Sequence, residues 1–350
     1  MRLIYSLAAE VVIWLGPESR NSDKAMELII VLSDACKNGT DKSLGAEFRR
    51  NPEYIGGGAW LALSQLLERT YWHRMWIIQE LCLAGTKAPI LCGKKFVTWE
   101  QFYSALHTFG KHNTDIMFAC IDHERKAAGL SASGLSRNKI IHIDFEHRKQ
   151  AGNTGPQYMP LLDLARHSDA SNPRDKIYGL LGLMDPAVSS VVTLDYNLSV
   201  EDVYTEFTRQ YIEATQNLEI LQQCRLGSSL LPSWVPDWRN KGHYRLFSGS
   251  HSPYKAGKGS LPSYRFRDDS HVLEIDGIVL DTVDGLGPAY FEHATSSMLE
   301  HGMFEPSNVA NAYGSEESIK DAVWRTLTGD RTLRGRPTPD SYAAIMDLPD

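Results

Sequence analysis

The sequence predicts an α/β sheet layer near the N-terminus, a mostly helical middle and a small β-containing C-terminal region. Three observations carry this. Val11-Val12-Ile13-Trp14-Leu15 and Pro89-Ile90-Leu91-Cys92 are short runs, each closed by a glycine, with helical periodicity between them. Amphipathic helical patterns dominate from about Trp60 to Thr215. Beyond Asn240, Gly, Ser and Tyr become frequent and Val272 to Leu280 alternates as a strand does. These shifts divide the 350 residues into 1–110, 111–240 and 241–350.

Each element has its own signal. Leu3, Ile4, Leu7 and Ala8 share helical spacing. Val11 to Leu15 is apolar on both faces, which suits a central parallel strand stopped by Gly16-Pro17. Ser22 or Asp23 can cap a helix with Ala25, Leu28, Ile29 and Leu32 on one face, ended at Asn38-Gly39. Trp60, Leu63 and Leu67 mark the next helix. Trp72 to Ala84 reads as a further one, apolar nearly all round and therefore buried. Pro89 to Gly93 and Phe96-Val97 form a hairpin, and Thr98 caps a helix holding Phe102, Ala105, Leu106 and Phe109. A more polar helical pattern runs from Lys111 to Gln150, with a loop at Asn153 to Gln157.

Leu161, Leu162, Leu164 and Ala165 begin a short helix, and Pro173-Arg174-Asp175-Lys176 opens another through Leu181. Asp202 to Thr215 carries the stripe Val203, Tyr204, Phe207, Tyr211 and Ile212. Pro232 and Pro236 break Leu231 to Trp238. There, Trp234 and Trp238 read as a packing plug, with Trp234 against the preceding amphipathic helix. Leu246 to Val283 forms the small β region, and the chain from about Phe291 is helical with a Pro-containing tail.

Composition removes several function classes. Hydrophobic residues are 42% and charged residues 23%, values of a globular chain. With Lys plus Arg at 36 and Asp plus Glu at 43, the net charge of −7 argues against a basic nucleic-acid binder. The apolar run Leu28 to Leu32 is far too short for a membrane span. Met1-Arg2 leads into a short apolar stretch broken at Glu10, unlike a signal peptide. The five cysteines, Cys36, Cys82, Cys92, Cys120 and Cys224, are odd in number and contain no C-x-x-C pair. Reduced thiols in a cytoplasmic protein are the expectation.

Motif chemistry is sparse. Gly56-Gly57-Gly58 lacks dinucleotide-loop spacing, and Gly93-Lys94-Lys95 lacks the hydroxyl of a P-loop. His142, Asp144, Glu146 and His147 are metal-capable, but a solvated helix face explains them better, so no metal site is assigned. No G-x-S-x-G elbow is present. The sharpest local feature is Trp76-Ile77-Ile78-Gln79-Glu80, where Trp76 and Glu80 lie one helical turn apart. A carboxylate on a buried helix must be paired or used by a ligand. Two readings stay open for Glu80: an ion pair with Arg69 or Arg74, or a functional carboxylate.

The ordered series Val11 to Gly16, Arg74-Met75-Trp76-Ile77-Ile78-Gln79-Glu80, Cys92-Gly93, Trp99, Pro173 to Leu183, Asp195-Tyr196 and Leu231 to Trp238 resembles the heterokaryon incompatibility (HET) domain proteins of filamentous fungi. The family begins with a Y-x-A-L-S-Y-x-W-G strand and a W-I-D-x-x-C-I-N-Q segment that this sequence lacks. The expectation is therefore an incomplete sheet, lacking its first two strands. HET domains are in turn similar to Toll/interleukin-1 receptor (TIR) domains, which implies a flavodoxin-like sheet. Some TIR domains cleave NAD with a glutamate in a W-x-x-x-E helix. That resemblance implies Glu80 as catalytic residue, Trp76 as a wall of the site and NAD as substrate, in a cleft at the Gly16-Pro17 strand end.

The resemblance as a whole implies non-self recognition and programmed cell death. Three forms of it stay open. One is an NAD-consuming effector. A second is a non-catalytic module that self-associates or binds a protein partner. The third is an inactive shortened member. The missing strands favour the second and third.

Overall fold

The computed structural model describes residues 2–19, 21–40, 58–84, 88–111, 158–224, 230–241, 260–267, 271–279, 321–322, 324–325 and 339–341. The polar helical pattern of residues 112–150, the His142 to His147 cluster, Cys120, Gly56-Gly57, the loop Asn153 to Gln157 and most of the tail from Phe291 lie outside these residues. The chain forms two compact units, Met1–Arg245 and Leu246–Asp350.

The first unit opens with α1 (Arg2–Leu7), β1 (Ile13–Trp14), α2 (Ser22–Lys37) and α3 (Ala59–Leu67). A 3-10 turn at Thr70–His73 then leads to α4 (Ile77–Leu83), the strands β2 (Pro89–Cys92) and β3 (Lys95–Thr98), and α5 (Trp99–Lys111). The expected helix from Trp72 to Ala84 is therefore two pieces. Arg74 is extended and bridges to Asp169, whose backbone accepts from Met75 N–H at 2.8 Å. That long-range pairing interrupts the helical ladder.

The strands form one three-stranded sheet in the order β1-β2-β3. β1 runs parallel to β2, with Ile13 opposite Ile90 and Trp14 opposite Leu91. β2 and β3 make the expected hairpin, with Ile90 opposite Val97 and Leu91 opposite Phe96. Among the described residues β1 is an edge strand, not a central one. Its burial alternates, with Ile13 and Leu15 inside and Val12 and Trp14 outside. Helix α2 packs on β2, β3, α3 and α5, and its expected face of Ala25, Leu28, Ile29 and Leu32 is buried. Its N-cap is Asn21, which makes no side-chain cap bond, while Ser22 closes a local turn with Ser19.

Helix α5 starts on a reciprocal cap. Gln101 N–H donates to Thr98 Oγ1 at 3.2 Å, and Thr98 N–H donates to Gln101 Oε1 at 2.9 Å. The β2–β3 turn needs Gly93, with φ 58°. A Cβ there would stand 2.7 Å from Glu18 Cβ, because Gly93 N–H donates to Gly16 O and draws the two loops together.

The helical part continues with α6 (Tyr158–His167), α7 (Asp175–Tyr178), α8 (Pro186–Ser189) and α9 (Val200–Thr215). The helix expected from Pro173 to Leu181 is one turn, α7, followed by a 3-10 turn at Leu181–Leu183. Gly179 sits against Met75, and its carbonyl accepts a bond from Gln79 instead of continuing the helix. Helix α9 begins with a full capping box between Ser199 and Asp202, and its whole expected stripe is buried. Trp234 and Trp238 are both buried. Trp238 packs edge-on against Tyr204 and Phe207 of α9, the place expected for Trp234.

The second unit contains an antiparallel pair, β4 (Tyr264–Arg267) with β5 (Val272–Ile275), within the segment expected to be β. Arg265 opposite Glu274 adds a cross-strand ion pair. Among the described residues no helix is long and apolar enough to cross a membrane. The architecture is thus mixed α and β, with helices predominating.

Candidate functional site

Helix α4 carries the W-x-x-x-E pattern from its N-cap. Trp76 occupies the cap position with helical backbone angles, and Glu80 N–H donates to Trp76 O at 3.3 Å. The two side chains are thus one turn apart, and both are half-buried. Between them, Ile77, Ile78 and Gln79 are fully buried.

Glu80 has partners that the sequence did not point to. The Tyr5 hydroxyl on α1 donates to one carboxylate oxygen at 3.2 Å, and the Tyr71 hydroxyl of the 3-10 turn donates to the other at 3.0 Å. Helix α1 packs on α4, which brings Tyr5 to this place. Burial, and then the Glu80 charge, push Tyr5 up to about 12. The same causes, burial foremost, raise Tyr71 further, while Arg74 pulls both phenols the other way. Both phenols therefore stay protonated donors at neutral pH. Of the two arginines considered as partners of Glu80, Arg69 is engaged elsewhere. Arg69 donates instead to Leu15 O at 2.7 Å, Pro17 O at 3.0 Å and Ser19 Oγ at 3.1 Å. It fastens the loop at the carboxyl end of β1, where the expected cleft would open.

Next to Glu80, Gln79 Nε2 donates to Gly179 O at 2.7 Å. Gln79 Oε1 has no hydrogen-bond partner among the described residues. This ties α4 to the Pro173–Leu183 motif, whose residues turn out to be structural. The Tyr204 hydroxyl donates to Pro173 O, Arg174 Nε to Leu198 O, Tyr196 to Asp175 and Tyr178 to Asp195 O.

Two buried cations were not foreseen. The Lys176 ammonium donates to the carbonyls of Ala165, Arg166 and Ser168 at the end of α6. It satisfies acceptors that a helix C-terminus leaves open. Burial pushes it down from its ordinary 10.5 to about 8, with Lys241 adding to the effect and Asp169 opposing it. The Arg166 guanidinium donates to the carbonyls of Asp237, Asn240 and Gln223, and Trp238 Nε1–H donates to Gln223 Oε1. No motif marks Arg166, and the Pro173–Leu183 stretch that contains Lys176 gives no sign of its burial. A Lys three residues past a proline and an Arg in a helix's last turn look like surface residues in sequence. Cys82 and Cys92 are buried, as expected, and none of Cys36, Cys82, Cys92 and Cys224 forms a disulfide.

Residues 1–80 match the family model described as heterokaryon incompatibility protein (HET). The chain is also similar to heterokaryon incompatibility protein 6, OR allele, of Neurospora crassa. The two are 26% identical over 347 residues, covering 82% of this chain and 48% of that protein. The chain thus spans about half the length of this curated relative. No solved structure matches it. The segment that carries α1 to the start of α4 is thus the part of the chain that matches the HET family model, and similarity to an incompatibility protein extends over most of the rest.

Proposed function

We propose that this protein acts in fungal heterokaryon incompatibility, in the cytoplasm, where recognition of non-self after cell fusion leads to death of the fused cell. The observation that carries this reading is the HET match over residues 1–80, extended by similarity to an incompatibility protein over 82% of the chain. In this reading residues 1–110 are the HET core, with a TIR-like sheet. Residues 111–240 continue it as a helical region, and residues 241–350 form a separate β-containing region. The protein works by self-association or by binding a protein partner. Glu80 supports this mode: both of its oxygens are taken by tyrosines from other segments, so it holds α1, the 3-10 turn and α4 together. The test is expression in a filamentous fungus fused with strains of different incompatibility type. Death confined to fused cells is expected. Fused cells that grow like untransformed controls would overturn the reading.

A second reading, NAD cleavage at Glu80, has one observation in its favour. Both oxygens of the carboxylate accept from neutral phenols, which orient it without adding a charge of their own. Departure of nicotinamide takes the electron pair of the glycosidic bond and leaves an oxocarbenium-like ribosyl cation. A carboxylate beside it stabilises that charge until water adds and releases a proton. Trp76, half-buried one turn away, would be a wall of the site. Assay of NAD turnover by the full chain and by Glu80→Gln decides it. Turnover lost in a stably folded variant supports cleavage, and no turnover by the parent removes it.

A further inference from the structure

Glu80 is held unequally by its two phenols. Tyr71 belongs to a well-anchored segment. It packs edge-on against Trp72, which is fully buried, stacks on Phe102 with ring centres 5.2 Å apart and donates from Nε1 to Leu66 O at 2.9 Å. Tyr5 has no such support. Helix α1 is six residues long, well short of the roughly 12 that an isolated helix needs in water. It packs on α4, yet from Ile4 to Glu10 every side chain except Tyr5 is exposed, Ile4 by 64% and Leu7 by 78%. Among the described residues, the bond from Tyr5 to Glu80 Oε1 is the one hydrogen bond that ties residues 2–10 to the rest of the chain. The link Ala8 to Glu10 is exposed and outside regular structure.

We propose that α1 is a releasable strap over Glu80, which lifts about the Ala8 to Glu10 link and uncovers Oε1 while Tyr71 stays bonded to Oε2. This rests on the second reading above, in which Glu80 is the working carboxylate, and names the regulation of that site. A segment with few buried contacts opens at a much smaller free energy than the whole fold does. Lifting α1 exposes little apolar surface, because Ile4 and Leu7 already face water. With the strap down, both carboxylate oxygens are capped by protein donors. With it up, Tyr71 still orients the carboxylate, and Oε1 is open to a positive charge developing beside it. The closed state is thus the resting, inhibited one. A ligand hydroxyl, the kind of donor that Oε1 already accepts from, favours the open state by taking the place of Tyr5.

The test is carbodiimide coupling of glycinamide to the carboxylates of the full chain, read at Glu80 by mass spectrometry, with the exposed Glu18 as internal reference. Glu80 should couple more slowly than Glu18. Its rate should stay nearly flat in urea below the unfolding transition, because opening the strap exposes little surface. Tyr5→Phe should speed coupling at Glu80 about tenfold or more, the loss of one hydrogen bond to a charged acceptor, with an unchanged circular-dichroism melt. Tyr196→Phe removes a hydroxyl bond to Asp175 instead, and should couple as the parent does. A Glu80 rate that climbs with urea as steeply as global unfolding overturns the strap. So does a Tyr5→Phe rate equal to the parent's, or one raised only together with a lowered melt. Where NAD is turned over, Tyr5→Phe should raise the turnover, and an unchanged turnover also overturns the proposal. No turnover in any variant removes the cleavage reading alone, because coupling reports access to Glu80 without a substrate.

Discussion

The Tyr71 hydroxyl donates to Glu80 Oε2 at 3.0 Å, across one break in the helical backbone, while Tyr5 holds the other oxygen at 3.2 Å. A carboxylate on a largely apolar helix is thus satisfied by two neutral donors from other segments. This pairing makes Glu80 a junction in the fold, whatever else it does.

The junction should be measurable. Glu80→Gln keeps the size but offers an amide N–H₂ to one of two phenol donors. Hydrogen bonds to a charged acceptor contribute about 1.5–3 kcal/mol, so the variant should lose stability of that order in urea. In a double-mutant cycle, Glu80→Gln and Tyr71→Phe should couple by about 1 kcal/mol or more. Additive effects would show that the bond does not hold the elements together.

Alkaline titration should unfold the protein through its phenols. Tyr5 is raised to about 12, and Tyr71, Tyr204 and Tyr211 are raised as well, burial being the first cause in each. Between the ordinary phenol value of 10 and these raised values, the folded state holds protons that the unfolded state has released. Their contribution to stability is complete below pH 10 and declines above it, that of Tyr5 being lost as pH rises through about 12 and those of the other three at still higher pH. Urea midpoints should fall across that window, accompanied by tyrosinate absorbance. A flat profile would contradict the burial of these rings.

Lys176 gives the opposite slope. Its folded value is about 8 against an ordinary 10.5, so between these the unfolded state holds more protons and stability rises with pH. Lys176→Met should abolish that rise. It also removes the donor to three carbonyls at the end of α6. Loss of the buried charge offsets part of this, leaving a net cost of about 2–4 kcal/mol. A variant as stable as the parent at pH 9 would show that water satisfies those carbonyls equally well.

Gly93→Ala tests the join between the β1 loop and the hairpin. The left-handed backbone costs a non-glycine residue about 1–2 kcal/mol. In addition, the new methyl meets Glu18 Cβ at 2.7 Å and its backbone N at 3.0 Å. A thermal melt should show a loss above the conformational cost alone. Glu18→Gly in the same chain should recover part of it, and no recovery would place the strain elsewhere.

The sequence by itself determined which helix faces are buried. In α2, α3, α6 and α9 the apolar spacing named core residues that the structure buries, and the Thr98 cap was legible at short range. The hairpin and the parallel character of β1 were legible too. Periodicity reports burial because a helix or strand repeats its environment every few residues.

Only the tertiary structure decided who satisfies the polar groups and where helices stop. Tyr5 lies 75 positions from Glu80, and Gln79 lies 100 from Gly179. The pairing of Arg74 with Asp169 cuts the expected helix before Trp76, against a local pattern that favours continuing it. The edge position of β1, and with it the exposure of Trp14, depended on which strands pair. Hydrogen-bond partners and sheet order are fixed by contacts distant in the chain, and local spacing holds no record of them.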